Sequence, residues 1–382
     1  MHFILLGLNL AHQSNLVIMK ITSIKTSLVL CLLSISILTH VRAQDGDIDF
    51  ADILKSPQAD MEKYLDNYIG VGMLSFANGM AGGWYNTAKP HKPLGFDITA
   101  SINVANVPQS ERLFTFNQSE YDVLTLTRAT NELPTLVGGG NSDDLRNLLT
   151  LPIGASFVAP DGNTYSYTRD YTFDAPTGQD VEDFPIAGVP VPTIQLGIGL
   201  VKNTDLKVRY AAYSNSDLDF DLLGFGLLHD VKQWIPGIKQ VPIDISIFFG
   251  TTKLKAEQII ERTDADFLAD GVATFESRAT TYQVLISKKL SFFTPYFGIG
   301  VNSVSSSIKI DGDYTLLEVR DSNNDPYTFS DPVDLLFEGG GSIRSTIGFR
   351  LKLAIITLHT DYTIQNYNML TCLLYTSPSP RD

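Results

Sequence analysis

From Leu94 to Val104 apolar and polar residues alternate without a break. Leu94, Phe96, Ile98, Ala100, Ile102 and Val104 share one face; Gly95, Asp97, Thr99, Ser101 and Asn103 share the other. An extended chain sends successive side chains to opposite faces, so this is a strand with one apolar and one polar side. Its eleven residues are about twice the usual strand length. They match the roughly 9–11 tilted residues with which a β-strand crosses a bilayer.

The pattern recurs. Ile194 to Leu200 and Leu206 to Ala212 alternate on either side of the turn Lys202-Asn203-Thr204, which makes a hairpin. Leu218, Phe220 and Leu222 begin a further strand, and Phe225 and Leu227 follow after a change of register. Similar segments start at Ile243, Tyr282, Phe293, Ile343 and Ile356, with a weaker one within Leu113 to Thr127. About ten strands are visible on this pattern. The connections near 130–190, 254–274 and 311–335 are long and polar, whereas others are tight. Short turns on one side and long loops on the other describe an outer-membrane barrel. A closed barrel satisfies every backbone group and leaves no edge. A soluble β-sandwich would also alternate. The faces opposite Ile, Leu, Phe and Tyr are Gly, Ser, Thr, Asn and charge, a poor core, which favours the barrel. The fold expected is all-β: a transmembrane antiparallel β-barrel of about 10–14 strands with a short N-terminal helical or plug segment.

The ends read differently. From Met19 a basic stretch (Lys20, Lys25), an apolar stretch (Ser27 to Leu38) and Val41-Arg42-Ala43 form a cleavable leader. The apolar run is too short for a spanning helix, and residues 1–18 read as an extension upstream of the true start. At the other end, Cys372 to Asp382 resembles a translated sequencing adapter, so residues 372–382 are expected to be foreign and the natural chain to be cut short there. The alternative is a genuine Pro/Ser-rich tail. Both cysteines, Cys31 and Cys372, fall in these ends. A mature chain without cysteine suits an exported protein needing no disulfide.

Residues 44–90 are read as a helical, Gly-rich periplasmic or plug segment, and 91–371 as the barrel. Ser56-Pro57 suits a helix start. Met61, Tyr64, Leu65 and Tyr68 recur at helical spacing, after which Gly70, Gly72, Gly79, Gly82 and Gly83 break up an apolar stretch ending at Trp84-Tyr85-Asn86. An ordinary helix packed on a sheet is the alternative.

The runs Gly83 to Lys92, Gln195 to Leu200, His229 to Gly237 and Gly348 to Leu353 resemble an uncharacterised family of Gram-negative outer-membrane proteins. The resemblance covers roughly residues 60–370 and implies a barrel with no assigned activity. A Gly-rich start followed by Trp84-Tyr85-Asn86 is more distantly similar to the FadL-type transporters of hydrophobic compounds. Those carry Asn-Pro-Ala after an aromatic; here Asn86 is followed by Thr87-Ala88. That likeness implies a plug and passage of hydrophobic compounds.

Signals for chemistry are weak. Gly197-x-Gly199, Gly224-x-Gly226 and Gly298-x-Gly300 lack a third glycine and lie within strands, so they read as small inward residues rather than a dinucleotide loop. Asp321-x-Asn323-x-Asp325 starts like a calcium loop, but Pro326 stands where the glycine should be. His359 and Asp361 share a face, which invites acid–base work; an ion-paired lumen explains them as well. No catalytic, cofactor-binding or metal residue is assigned, and no enzyme is expected. The lumen-facing set is Lys207, Arg209, Asp244, Arg344, Arg350, His359 and Asp361. Trp84, Tyr85 and Asn86 are placed in the plug. Trp234 is placed at a membrane interface on a one- to two-turn amphipathic helix.

With 28 basic against 42 acidic residues and a net charge of −14, a nucleic-acid partner is not expected. The function expected is that of a passive channel or transporter that passes a small solute, with hydrophobic solutes as one candidate class, across the cell outer membrane. The alternative is a non-transporting barrel that scaffolds secretion or surface attachment. Outer-membrane lipid surrounds it in either case, and the long loops could hold a protein partner.

Overall fold

The computed structural model describes residues 50–127, 131–140, 142–146, 148–184, 186–215, 218–263, 266–353 and 356–376. The leader (1–43) and the tail from 377 lie outside the described residues.

The architecture is a transmembrane-type antiparallel β-barrel closed on itself. Its strands, in chain order, are β1 (Phe96–Ala105), β2 (Val189–Leu200), β3 (Thr204–Ser214), β4 (Leu218–Asp230), β5 (Asp244–Thr263), β6 (Phe267–Ser287), β7 (Phe293–Arg320), β8 (Val333–Leu353), β9 (Ile356–Ile364) and β10 (Met369–Thr376). Each pairs antiparallel with the next, and β10 pairs with β1 to close the ring of ten. Ring closure leaves no strand edge. Residues 372–376 form part of this closing strand, with Cys372 opposite Ile102 and Leu374 opposite Ala100.

The alternation read from the sequence is the barrel's outer and inner face. Ile98, Leu196, Phe225, Ile247, Tyr282, Ile299, Ile347 and Tyr362 are exposed on the outside. Thr99, Gln195, Lys207, Thr346 and Thr363 are buried inside. Together the outer residues make an apolar girdle of the kind that faces lipid.

Four strands outrun the girdle. β5 has 20 residues, β6 has 21, β7 has 28 and β8 has 21, against the roughly 9–11 needed to cross. The stretch 254–274, expected as a polar connection, is therefore paired strand: β5 and β6 remain in register from Asp244↔Ser287 to Thr263↔Leu268. Above the girdle the outer faces turn polar, with Lys253 3.1 Å from Glu276.

The projecting strands and the insertion 106–188 build a roof over one end of the barrel. The segment within Leu113 to Thr127 belongs to this roof and not to the barrel wall; its short strands pair with other insertion residues. The roof core is rich in aromatic rings, including Tyr64, Tyr68, Phe116, Tyr167, Phe267, Tyr314 and Tyr327. At the opposite end the connections 201–203 and 288–292 are short. The 231–243 connection is longer and carries a single 3-10 turn, Lys232–Trp234. It replaces the expected amphipathic helix because Pro236 and Gly237 follow at once and end any helical run.

Helix α1 (Gln58–Met80) has 23 residues. It continues through Gly70, Gly72 and Gly79, where the sequence had suggested a broken, Gly-rich stretch. These glycines do not break it because they are contact points with the surrounding wall. A Cβ on Gly79 would lie 2.5 Å from Val191 Cγ2, and one on Gly70 3.0 Å from Phe337 Cε1. Close packing inside the barrel outweighs the roughly 1 kcal/mol helix penalty of each glycine.

Candidate functional site: the occupied lumen

The lumen is filled by the chain's own N-terminal segment. Helix α1 starts in the roof, where Met61, Tyr64, Leu65, Tyr68 and Ile69 join the aromatic core. Its last turn lies in the barrel, with Ala77 and Met80 against Val191, Leu222, Leu254 and Val304. Residues 81–93 then descend beside β1. Gly82 meets Asn103, Gly83 meets Ser101, and His91 reaches Asp97. The chain turns at Leu94 and returns as β1.

The descent is stitched to the wall at each level. Arg209, fully buried, donates to the backbone carbonyls of Met80 (2.9 Å) and Gly82 (2.5 Å) and to Gln195 Oε1 (3.3 Å). Its guanidinium also lies 3.5 Å from the Trp84 ring centroid. The last carbonyls of a helix have no intrahelical donor and carry partial negative charge, so a cation is favoured there. One planar fork meets both carbonyls while its face covers an indole, which suits Arg and not Lys.

Lower down, the Gln195 amide donates to the Trp84 carbonyl at 3.1 Å. Tyr85 donates its hydroxyl hydrogen to Gln283 Oε1, and its ring stacks edge-on against Phe248 and Tyr296. Arg350 donates to Asn86 Oδ1 at 3.3 Å. Ser246 donates to the Ala88 carbonyl, and Ser287 accepts from the Ala88 N–H at 3.1 Å. The His91 backbone N–H donates to Asp205 Oδ1, and its Nδ1 lies 2.8 Å from Oδ2. The segment's backbone thus meets polar wall side chains at each level, although several buried wall atoms, among them Asp97 Oδ1, Asn103 Oδ1, Thr252 Oγ1 and Thr281 Oγ1, keep no hydrogen-bond partner among the described residues.

Lys207, Arg209, Arg344, His359 and Asp361 are buried inside the barrel, and Arg350 is half-buried there. Asp244 is half-buried at the short-turn end of β5, opposite Ser287. The seven do not converge on one site. Arg209 and Arg350 hold the plug, whereas Arg344 donates to Gln365 Oε1 at 3.1 Å. His359 and Asp361 meet on a residue the sequence did not single out. The Tyr296 hydroxyl donates to Asp361 Oδ2 at 2.7 Å and contacts His359 Nε2. His359 Nε2 and Asp361 Oδ2 also lie 3.3 Å apart, so the three side chains form one buried polar cluster, in which His359 Nδ1 has no hydrogen-bond partner among the described residues. Trp84 and Tyr85 are buried in the lumen, and Trp234 is exposed at the short-turn end, its indole N–H 2.9 Å from His229 Nε2. The wall residues Gln195, Ser246, Gln283 and Ser287 were missed. Their parity marked them inward; nothing in the sequence showed that they would meet the plug.

Comparison with known proteins gives three findings. A family model described as a family of unknown function (DUF6588) matches residues 19–374. No curated protein matches. Among solved structures, the translocator domain of the autotransporter NalP from Neisseria meningitidis is 8% identical with a TM-score of 0.25, covering 83% of this chain and 97% of that one. The transport unit of the autotransporter AIDA-I from Escherichia coli is 7% identical (TM-score 0.23; 85% and 100% covered). The CymD monoaromatic hydrocarbon channel is 9% identical (TM-score 0.16; 76% and 90% covered).

Proposed function

The chain belongs to DUF6588, a family of unknown function, and from the way its lumen is filled we propose that it is an outer-membrane barrel held shut at rest, a scaffold that carries the roof beyond the membrane. The observation that carries this is the double membership of α1, which fills the lumen and supplies part of the roof core. Met61, Tyr64, Leu65, Tyr68 and Ile69 are all nearly inaccessible. At about 1.5–3 kcal/mol for each buried side chain, pulling the helix out would cost roughly 10 kcal/mol before any hydrogen bond is counted. Passive flow through an emptied lumen does not fit that cost.

One observation favours a gated second reading. Residues 81–93, whose apolar anchors include Trp84, Tyr85 and Ala88, have fewer of them than α1, and Gly83 has φ of 69°, a conformation open to glycine at little cost. A rearrangement of this stretch together with the last turn of α1 would open a path for a small solute while Met61 to Ile69 stay in the roof.

Planar-bilayer conductance of the purified protein separates these. The scaffold predicts a folded barrel without current. Steady single-channel steps from the wild-type chain would overturn it, and steps that appear only under an applied solute or voltage would favour the gated reading.

A further inference from the structure

At the short-turn mouth, the descending segment and the wall enclose a cavity of about 230 Å³. Six cations line it: Lys89, Lys92, Lys207, Lys289, Arg350 and Lys352. Among the described lining residues one carboxylate, Asp205, stands with them. This runs against the composition of a chain with net charge −14. The cations are not one run of sequence. They come from the descending segment, from β3, from the turn after β6 and from β8, so the barrel's closure assembles them.

Asp205 pairs with one member of the group, Lys207 Nζ at 4.0 Å, and its oxygens also accept from the backbone N–H of His91 and lie against His91 Nδ1, both at 2.8 Å. A single carboxylate thus stands against six cations in the described lining. Lys207 is only 5% exposed, so its ammonium is poorly solvated. Like charges crowded into a partly dry space repel one another, and an anion placed among them relieves that repulsion. Cations arriving from several directions suit a multivalent tetrahedral oxyanion, with Arg350 as a planar fork and the lysines as point charges. The volume is below the roughly 300–1,000 Å³ of ordinary ligand pockets, which fits a group and not a whole metabolite.

We propose that this cavity seats a phosphate group. The group can belong to a small soluble phosphate compound or to a phosphorylated lipid headgroup. The proposal goes beyond the scaffold reading and does not depend on whether the lumen conducts, since its readout is binding.

The test is calorimetric titration of the full chain in detergent at low ionic strength, with inorganic pyrophosphate in one arm and a short-chain phosphatidic acid in the other. Saturable binding is expected. The variant Lys89→Ala/Lys289→Ala, at two exposed rim positions, should weaken it tenfold or more, and heat-dependent gel mobility should show the barrel still folded. The pair Lys253→Ala/Lys309→Ala, exposed positions on the projecting strands, should leave affinity unchanged. Binding of pyrophosphate identifies a soluble phosphate, and binding of the lipid alone identifies a headgroup. Binding of neither, or an equal loss in the distant pair, overturns the proposal.

Discussion

Arg209 is the side chain on which the closed lumen most depends. It joins the end of α1, the Trp84 indole and Gln195 through a single buried guanidinium. Arg209→Ala would leave two buried carbonyls without a donor, at about 1–3 kcal/mol each, and would lose a desolvated cation–π contact of about 2 kcal/mol. A loss of about 4–8 kcal/mol is expected, read as a lower thermal unfolding midpoint, together with current in bilayers where the scaffold reading expects none from the wild type. Arg209→Lys should restore little, since an ammonium cannot serve both carbonyls and the ring in one geometry. In the roof, Asp60 has the same standing. Its buried carboxylate accepts from the backbone N–H groups of Asp122 (2.7 Å), Val123 (2.8 Å) and Leu124 (2.7 Å). Asp60→Ala orphans three donors, so limited proteolysis should cut near residues 122–124 at least several-fold faster, while the girdle stays protected.

At the scale of the element, the barrel strands were legible because water on one side and lipid on the other impose a strict period of two. The roof was less legible because that imposition changes sign. On β4, Phe225 and Leu227 face outward to the girdle, whereas Leu222 faces inward to the core beneath the roof. The sequence pattern suggested a register change there, yet pairing runs unbroken with β5 from Leu218 to Asp230 and with β3 from Asp219 to His229. The backbone does not slip; the solvent does. On β7 the same inversion separates outward Phe297, Ile299 and Val301 from inward Val304, Ile310, Tyr314 and Leu316. A single-sequence pattern cannot show which side is dry above the membrane, so 254–274 passed for a loop. The inward glycines carry a second lesson. A Cβ on Gly226 would lie 2.9 Å from Trp84 Cε3, and one on Gly250 2.9 Å from Trp84 Cε2. These strands are small where the indole must fit. Gly226→Val is therefore expected to push Trp84 from its seat. In a Trp234→Phe background, which leaves Trp84 as the only indole of two, emission should shift to the red; an unchanged spectrum would mean that the wall yields instead.

Across the whole molecule, three of the four apolar clusters among the described residues follow the N-terminal segment: the aromatic roof, the apolar collar around the end of α1, and the Trp84-Tyr85 layer near the short-turn mouth. The N-terminal segment threads all three in that order. The helix therefore enters from the roof end, while β10 ends at the short-turn end. This fixes a prediction about orientation. Bacterial barrels keep short turns on the periplasmic side and long loops outside, so the roof should face the medium and the basic cavity the periplasm. The exposed turn at Gly162, where φ is 84° and no atom stands within 4 Å of an added Cβ, is a suitable roof position for a small epitope. Gly237, with φ of 82° and equal space, serves at the opposite end. On intact Gram-negative cells, antibody should label the tag at 162 and reach the one at 237 only after the outer membrane is permeabilised. Labelling of 237 alone on intact cells would invert the molecule, placing the cation-lined cavity outside and removing the roof from any role at the surface.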